Sequence, residues 1–328
     1  MGGFFVERPR LIAEESLCKT LTPMVWQTIF FTTDLPESVN FADLFMRLVV
    51  FIVLVAVLGG CHGINKILKN KDPEYKLRMA EKYYINKKYN YAYQLFEDVV
   101  PYYKTSKEFE DIYYKMAYCT YYQKDYASSE NYFKTYLELF PNNARAEEMD
   151  YMRAYCYYKQ SPKWELDQTN TLKTIGMMQS FINTHPGSHR IKDASEIIDN
   201  CHDKLETKDY KAAQLYYDIG QFRAAAVAFG EVLNNYPESN RGDEYKLMTI
   251  KSYYRYAELS VEERKVERFE KVIEECNDFT DRFPESKLAK DVEHYLNLSK
   301  TNIKNLSNEQ TKTSAQFRNS EHRGNSQP

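Results

Sequence analysis

Apolar and aromatic residues recur three and four positions apart from Glu74 to about Lys300, without the alternation typical of a β-strand. This spacing places one face of an α-helix in a core. Prolines punctuate the pattern at intervals of 45, 51 and 47 residues, at Pro141, Pro186, Pro237 and Pro284. Proline ends a helix because it lacks the backbone N–H and clashes with the preceding turn. A period of this length predicts an all-α solenoid of stacked helical hairpins.

Each proline belongs to a similar corner, in which an aromatic residue or histidine precedes it and Asn or Ser follows. The corners are Phe140-Pro141-Asn142-Asn143, His185-Pro186-Gly187-Ser188, Tyr236-Pro237-Glu238-Ser239 and Phe283-Pro284-Glu285-Ser286. The Asn or Ser side chain is suited to cap the next helix.

Between the corners, small residues recur where the two helices of a hairpin would cross, with an aromatic residue beside them. The clearest sets are Ala80, Ala92 and Phe96, then Ala117, Ser129 and Phe133, then Ala213, Ala225 and Phe229. The pattern resembles the tetratricopeptide (TPR) repeat and predicts five repeats over residues 74–300. The third and fifth are longer, with insertions around Gln160–Trp164 and Val261–Lys265.

The segment before the repeats predicts export. Arg47 is followed by an apolar run from Leu48 to Leu58, and Gly59-Gly60-Cys61 follows directly. The run has the length of a signal-peptide core and is too short for a membrane-spanning helix. Residues 58–61 resemble the lipobox of bacterial lipoproteins, which implies a lipidated Cys61 thiol and cleavage just before it. The alternative is a short buried segment with an ordinary core cysteine.

The remaining parts of the chain follow from this assignment. Residues 1–45 are acidic, which does not suit a signal peptide, so we expect either a true start at Met46 or a genuine extension. We expect 46–60 to be the signal peptide, 61–73 a lipidated tether and 301–328 a disordered polar tail. His62 follows the lipidated cysteine, and the absence of Asp there favours the outer membrane.

Composition excludes several functions. Residues 61–328 contain 40 basic and 41 acidic side chains, so the chain lacks the excess positive charge that favours binding to nucleic acid.

Beyond Cys61, the mature chain has four cysteines without metal-binding spacing: Cys119, Cys156, Cys201 and Cys276. We expect them to be buried thiols, with disulfides as the alternative. Pro186-Gly187 separates His185 from His189. With no catalytic motif, we expect a protein that is not an enzyme and has no cofactor beyond the lipid on Cys61.

Tyrosine is abundant, with 29 residues in the chain, and several occur as adjacent pairs on the predicted helices. Neighbouring residues on a helix point about 100° apart, so one ring of a pair can pack inward while the other faces outward. Outward rings are good peptide contacts. The candidate peptide-binding residues are Tyr83, Tyr84, Tyr121 and Tyr122.

A lipobox, a short tether and about five TPR units, with Ala80-Glu81-Lys82-Tyr83-Tyr84 in the first, together resemble the BamD family of the β-barrel assembly machinery. The resemblance implies a lipid-anchored scaffold on the periplasmic face of the outer membrane. It also implies binding to the periplasmic domains of a BamA-like barrel protein and to C-terminal peptides of unfolded outer membrane proteins. The alternative is an adaptor for envelope polysaccharide or peptidoglycan, which the presence of only Trp26 and Trp164 disfavours.

Overall fold

The computed structural model describes Met46, Leu48–Val50 and residues 62–324. The predicted extension 1–45, most of the signal peptide and the lipidation site Cys61 lie outside the described residues. The chain divides into two units, Met1–Asp72 and Pro73–Pro328. In the first, helix α1 spans His62–Leu68, so the predicted tether contains a short helix.

The second unit is built from helices α2 to α12 over its described residues. Their bounds are α2 Pro73–Ile85, α3 Tyr89–Tyr103, α4 Glu108–Tyr122, α5 Tyr126–Leu139, α6 Ala146–Gln160, α7 Thr169–Thr184, α8 Ile191–Asp218, α9 Phe222–Asn235, α10 Gly242–Glu258, α11 Glu262–Arg282 and α12 Ala289–Gly324. Each helix packs against the next, and α12 also contacts α10. The chain therefore forms five consecutive hairpins, α2–α3 to α10–α11, closed by α12, which confirms the predicted TPR-like all-α solenoid.

Small residues at the helix crossings are buried as predicted. Ala80, Ala92, Ala117, Ala213 and Ala225 have no exposed surface. Ser129 is equally buried, and its hydroxyl donates to the Ala117 carbonyl at 3.2 Å across the α4–α5 crossing. Aromatic rings of the second helices, among them Phe96, Phe133 and Phe229, fill the adjacent core. The small side chains therefore let the two helix backbones of a hairpin approach closely at each crossing.

The proline corners share one hydrogen-bonding arrangement. At three corners, Ser188, Ser239 and Ser286 each accept a bond from the N–H two residues on, at 3.1 Å, and Asn143 does the same at 2.9 Å. The serines also donate to carboxylates on the first helix of their own hairpin, at Glu147, Glu206 and Asp243. The prediction that these side chains cap the next helix is wrong at three corners, where the N-cap residues are Arg145, Arg190 and Arg241 and no side chain caps the helix. The Asn and Ser side chains instead stabilise the turn one step earlier, and the serines tie it to the hairpin that it closes.

The insertion predicted around Val261–Lys265 is largely helical, since α11 begins at Glu262 and takes up the extra residues as additional helix. The predicted disordered tail is helical from residue 301 to Gly324, because α12 continues without interruption. Its first half is anchored on α10 and α11, and hydroxyls such as Thr301 and Ser307 bond to the carbonyl four residues earlier.

Candidate functional site

A continuous set of tyrosine rings crosses the first three hairpins. Tyr84 contacts Tyr89, Tyr89 stacks on Tyr122, and Tyr122 leads through Tyr121 to Tyr155. The centroids of consecutive rings are between 4.5 and 6.4 Å apart. We call this set of rings the aromatic face; it consists of Tyr84, Tyr89, Tyr114, Tyr118, Tyr121, Tyr122, Tyr126, Tyr151, Tyr155 and Tyr158. Tyr118 and Tyr151 are buried in the core beneath it, and the others are at least partly accessible.

The structure places the four predicted residues in different environments. Tyr84 is half-buried and lies 6.4 Å from the core ring of Phe96, and burial raises the pKa of its hydroxyl. Tyr83 points elsewhere: its ring meets Tyr91 on α3 at 5.5 Å, and the Lys88 ammonium lies 6.0 Å from it. Tyr84 therefore lies within the ring series and Tyr83 lies outside it.

The second predicted pair stays together on the aromatic face. Tyr122 is 47% exposed and stacks on Tyr89 of the preceding hairpin with centroids 4.5 Å apart. Tyr121 is half-buried between Tyr126 and Tyr155, and burial followed by the nearby Tyr155 raises its pKa to about 12. Tyr122 is thus partly open to solvent, while Tyr121 links hairpins two and three.

Sequence reasoning missed the tyrosines that continue this surface along the helices. Tyr114 and Tyr118 precede Tyr122 at four-residue intervals on α4, and Tyr151, Tyr155 and Tyr158 repeat the arrangement on α6. Their spacing was the available signal, because residues three and four apart share one helix face. The Tyr118 hydroxyl donates to Glu148 of α6 at 2.5 Å, so this ring also joins neighbouring hairpins.

An arginine at each of three corners flanks the tyrosines. The Arg145 guanidinium lies 4.2 Å from the centre of the Tyr114 ring, and the Arg190 guanidinium lies 4.7 Å from that of Tyr151. In the fourth hairpin, Arg241 lies 4.6 Å from the Tyr210 ring in the same way. Arg145 also binds Glu110 and Asp111. Burial alone would raise the pKa of Asp111, but hydrogen bonds from Lys115 and Arg145 bring it below its usual value. This border of the aromatic face is therefore charged and internally paired.

Four cysteines of the described residues lie in the core, and His185 lies at a proline corner. Among the described residues, no group of three or more His, Cys, Asp or Glu side chains is placed to hold a metal ion. The imidazole of His185 lies 3.3 Å from Asp150, and Pro186-Gly187 forms the predicted turn. The cysteines at 119, 156, 201 and 276 are free and buried, as expected, and burial raises the pKa of Cys119 and Cys156 to about 12.

A second candidate surface lies on the last two hairpins. A groove of about 650 Å³ between α9, α10 and α11 is lined by two tyrosines, four basic and three acidic side chains: Arg223, Tyr253, Tyr256, Arg264, Glu267, Arg268, Glu270, Lys271 and Glu274. The Arg268 guanidinium stacks on Tyr256 at 4.0 Å, which holds its donors at a fixed position. A planar guanidinium held in this way suits carboxylate recognition.

Comparison with known proteins identifies one family. The family described as YfiO, outer membrane lipoprotein, matches residues 70–256. No curated protein is matched. Similar solved structures include the TPR2AB domain–pHSP90 complex of yeast Sti1, at 12% identity and a TM-score of 0.34, covering 70% of this chain and 98% of that one. A Podosopora anserina putative kinesin light chain with TPR-like repeats has 13% identity and a TM-score of 0.28, covering 65% and 96%.

Proposed function

Because the chain belongs to the YfiO outer membrane lipoprotein family, whose model matches residues 70–256, we propose that it is the TPR scaffold of a β-barrel assembly machinery. In this proposal Cys61 carries the lipid, and the solenoid works on the periplasmic face of the outer membrane. Among the described residues no helix is both long and apolar enough to cross a membrane. The protein acts by binding, without catalysis.

The aromatic face is the proposed site for C-terminal peptides of unfolded outer membrane proteins. The observation that carries this assignment is the unbroken ring contact from Tyr84 through Tyr122 to Tyr155, which spans three hairpins with Tyr122 open to solvent. An extended peptide gains most from rigid aromatic anchors spaced along a surface, since tyrosine contributes large contact area at low entropy cost.

Titration of a barrel C-terminal peptide against the Tyr122→Ala variant tests this site. Loss of one exposed anchor should weaken binding by about 1–2 kcal/mol, or roughly five- to thirtyfold in Kd. Tyr102→Ala is the matched control, because Tyr102 is also exposed but lies at the far end of α3, outside the ring series. Unchanged affinity in the Tyr122 variant would remove the aromatic face as the peptide site.

The groove on the last two hairpins is the proposed site for the periplasmic domains of a BamA-like barrel protein. Its support is the combination of fixed Arg268 and Tyr256 with Arg223 in one concave surface. Interfaces are enriched in arginine and aromatic residues in this way.

Purification of the full lipidated protein from detergent-solubilised outer membrane tests the barrel partner. Arg223→Glu with Arg268→Glu should lose a co-purifying large β-barrel protein, whereas Lys304→Glu, an exposed charge change on α12, should retain it. Retention of the barrel protein by the double variant would exclude the groove, and recovery of glycan-handling proteins alone would overturn the assembly role.

A further inference from the structure

The turns between the two helices of the hairpins expose large apolar side chains. Ile85 is 77% exposed in the first turn, and the other four turns expose Tyr122, Leu166, Ile219 and Leu259. Each turn follows the first helix of its hairpin. Side chains of this size, exposed in or beside the connection between the two helices of successive hairpins, mark an interaction surface.

Lysines surround the apolar residues at the first two turns. We call this surface the turn patch; it consists of Lys82, Ile85, Lys87, Lys88, Tyr122 and Lys124, all exposed. No acidic residue occurs between Lys82 and Glu97, and none of the four lysines forms an ion pair with a described residue. The stacked rings of Tyr89 and Tyr122 join the two turns into one surface. In the second turn the exposed carboxylate of Asp125 follows Lys124 directly. Four lysines and this one carboxylate leave a net positive charge around an exposed apolar centre, concentrated at the first turn.

Two of these lysines occupy a backbone conformation that favours glycine. Lys87 has φ of 57° and Lys124 has φ of 64°, in the left-handed region. The fourth hairpin places Gly220, with φ of 79°, at the corresponding turn. A side chain with Cβ is less favourable there than glycine, so folding alone does not account for lysine at both turns.

We propose that the turn patch rests on an anionic lipid surface. Lysine ammonium groups bind negatively charged headgroups, while the Ile85 side chain enters the interface. The absence of acidic residues in the first turn favours a surface with many negative charges over a mixed-charge protein face. The contact would orient the first two hairpins on the membrane, and it requires no barrel partner.

Lysine footprinting of the full lipidated chain in vesicles tests the contact without altering the protein. The acetylation rate of each lysine is measured by mass spectrometry on vesicles of phosphatidylcholine with phosphatidylglycerol, and on vesicles of phosphatidylcholine alone. The turn-patch lysines should react several-fold more slowly on the anionic vesicles, and 0.5 M salt should remove much of the difference, since the Debye length is then only about 4 Å. Lys104 and Lys107 are internal controls, because they are exposed at the opposite end of the same hairpin and should react equally on both vesicles.

A double variant then tests the contribution of the lysine charges while preserving the fold. Lys87→Gly with Lys124→Gly removes two charges and places glycine where φ is positive, so the hairpins should fold at least as well. Protection of Lys82 and Lys88 should fall in this variant. Equal reactivity on both vesicles, or equal protection of Lys104 and Lys107, would overturn the proposal. Protection seen only in native membranes, and not on anionic vesicles, would assign the patch to a protein partner and overturn it as well.

Discussion

The ring of Tyr122 on α4 stacks on the ring of Tyr89 on α3, with centroids 4.5 Å apart and planes inclined by 23°. The contact joins the first hairpin to the second at the turn end of their helices. It serves two surfaces at once, since Tyr122 belongs to both the aromatic face and the turn patch. We expect the pair to couple energetically.

A double-mutant cycle of Tyr89→Ala and Tyr122→Ala measures this coupling. Stacked aromatic pairs contribute about 0.5–1.5 kcal/mol beyond their buried area, so the two single losses in unfolding free energy should exceed the loss in the double variant by that amount. Urea unfolding of the four proteins provides the values. Strict additivity within about 0.3 kcal/mol would show that the two rings do not stabilise the junction.

The buried alanines at the helix crossings give a sharper prediction about the solenoid. Ala213 has no exposed surface, whereas its neighbour Ala212 is exposed on the same helix. Ala213→Leu should destabilise the protein by about 1–3 kcal/mol or more, because a larger side chain forces α8 and α9 apart. Ala212→Leu has the same change in volume and helix propensity and should stay within about 0.5 kcal/mol of the parent protein. Similar urea midpoints for both variants would contradict the crossing geometry.

The regular part of the fold could be predicted from local sequence because each hairpin carries its own signals. Prolines mark the corners, and alanines such as Ala117 and Ala213 mark the crossings, where only a small side chain allows close backbone approach. The helix from residue 301 to Gly324 was missed because its polar composition offers no core-facing stripe. This segment is helical because it continues α12, whose first half packs against α10 and α11. Its own sequence does not show that packing.

The candidate site could be predicted only in part, for a related reason. Adjacent tyrosines such as Tyr83 and Tyr84 must point in different directions, but the sequence does not say which direction faces the next hairpin. The choice follows from how α2 lies against α3 and α4, which brings Tyr91 to one ring and Tyr89 to the other. Long-range packing therefore decides membership of the aromatic face.

Two glycines should respond in opposite directions to the same substitution. Gly220 lies in the turn between α8 and α9 with φ of 79°, and Gly230 lies within α9; an added Cβ would meet no atom within 4 Å at either position. Gly220→Ala should destabilise the protein by about 1 kcal/mol, because a Cβ is unfavourable at positive φ. Gly230→Ala should stabilise it by roughly 0.5–1 kcal/mol through helix propensity. Thermal unfolding distinguishes these outcomes, and a shift of the same sign in both variants would contradict the assigned turn.

The buried thiols predict a loss of stability in alkaline solution. Burial, and to a smaller extent the nearby Glu275 carboxylate, raises the pKa of Cys276 to about 12. The pKa of a cysteine thiol in the unfolded chain is about 8.5. Below pH 8.5 both states hold the proton, so the contribution to stability is fully present. As the pH rises from about 8.5 towards 12, the unfolded state loses its proton while the folded thiol keeps it, and the free energy of unfolding falls.

The size of this effect can be isolated at one cysteine. Between pH 8 and pH 10 the ionisation of one unfolded thiol should cost about 1–2 kcal/mol of stability, so Cys276→Ala should lose less stability over that interval than the parent protein. Urea unfolding at both pH values gives the difference, and Ser307→Ala, an exposed hydroxyl on α12, should follow the parent. Raised tyrosine pKa values, such as that of Tyr121, add to the slope in all three proteins and cancel in the comparison. An identical pH slope in Cys276→Ala and the parent would mean that this thiol ionises as readily in the folded protein as in the unfolded chain.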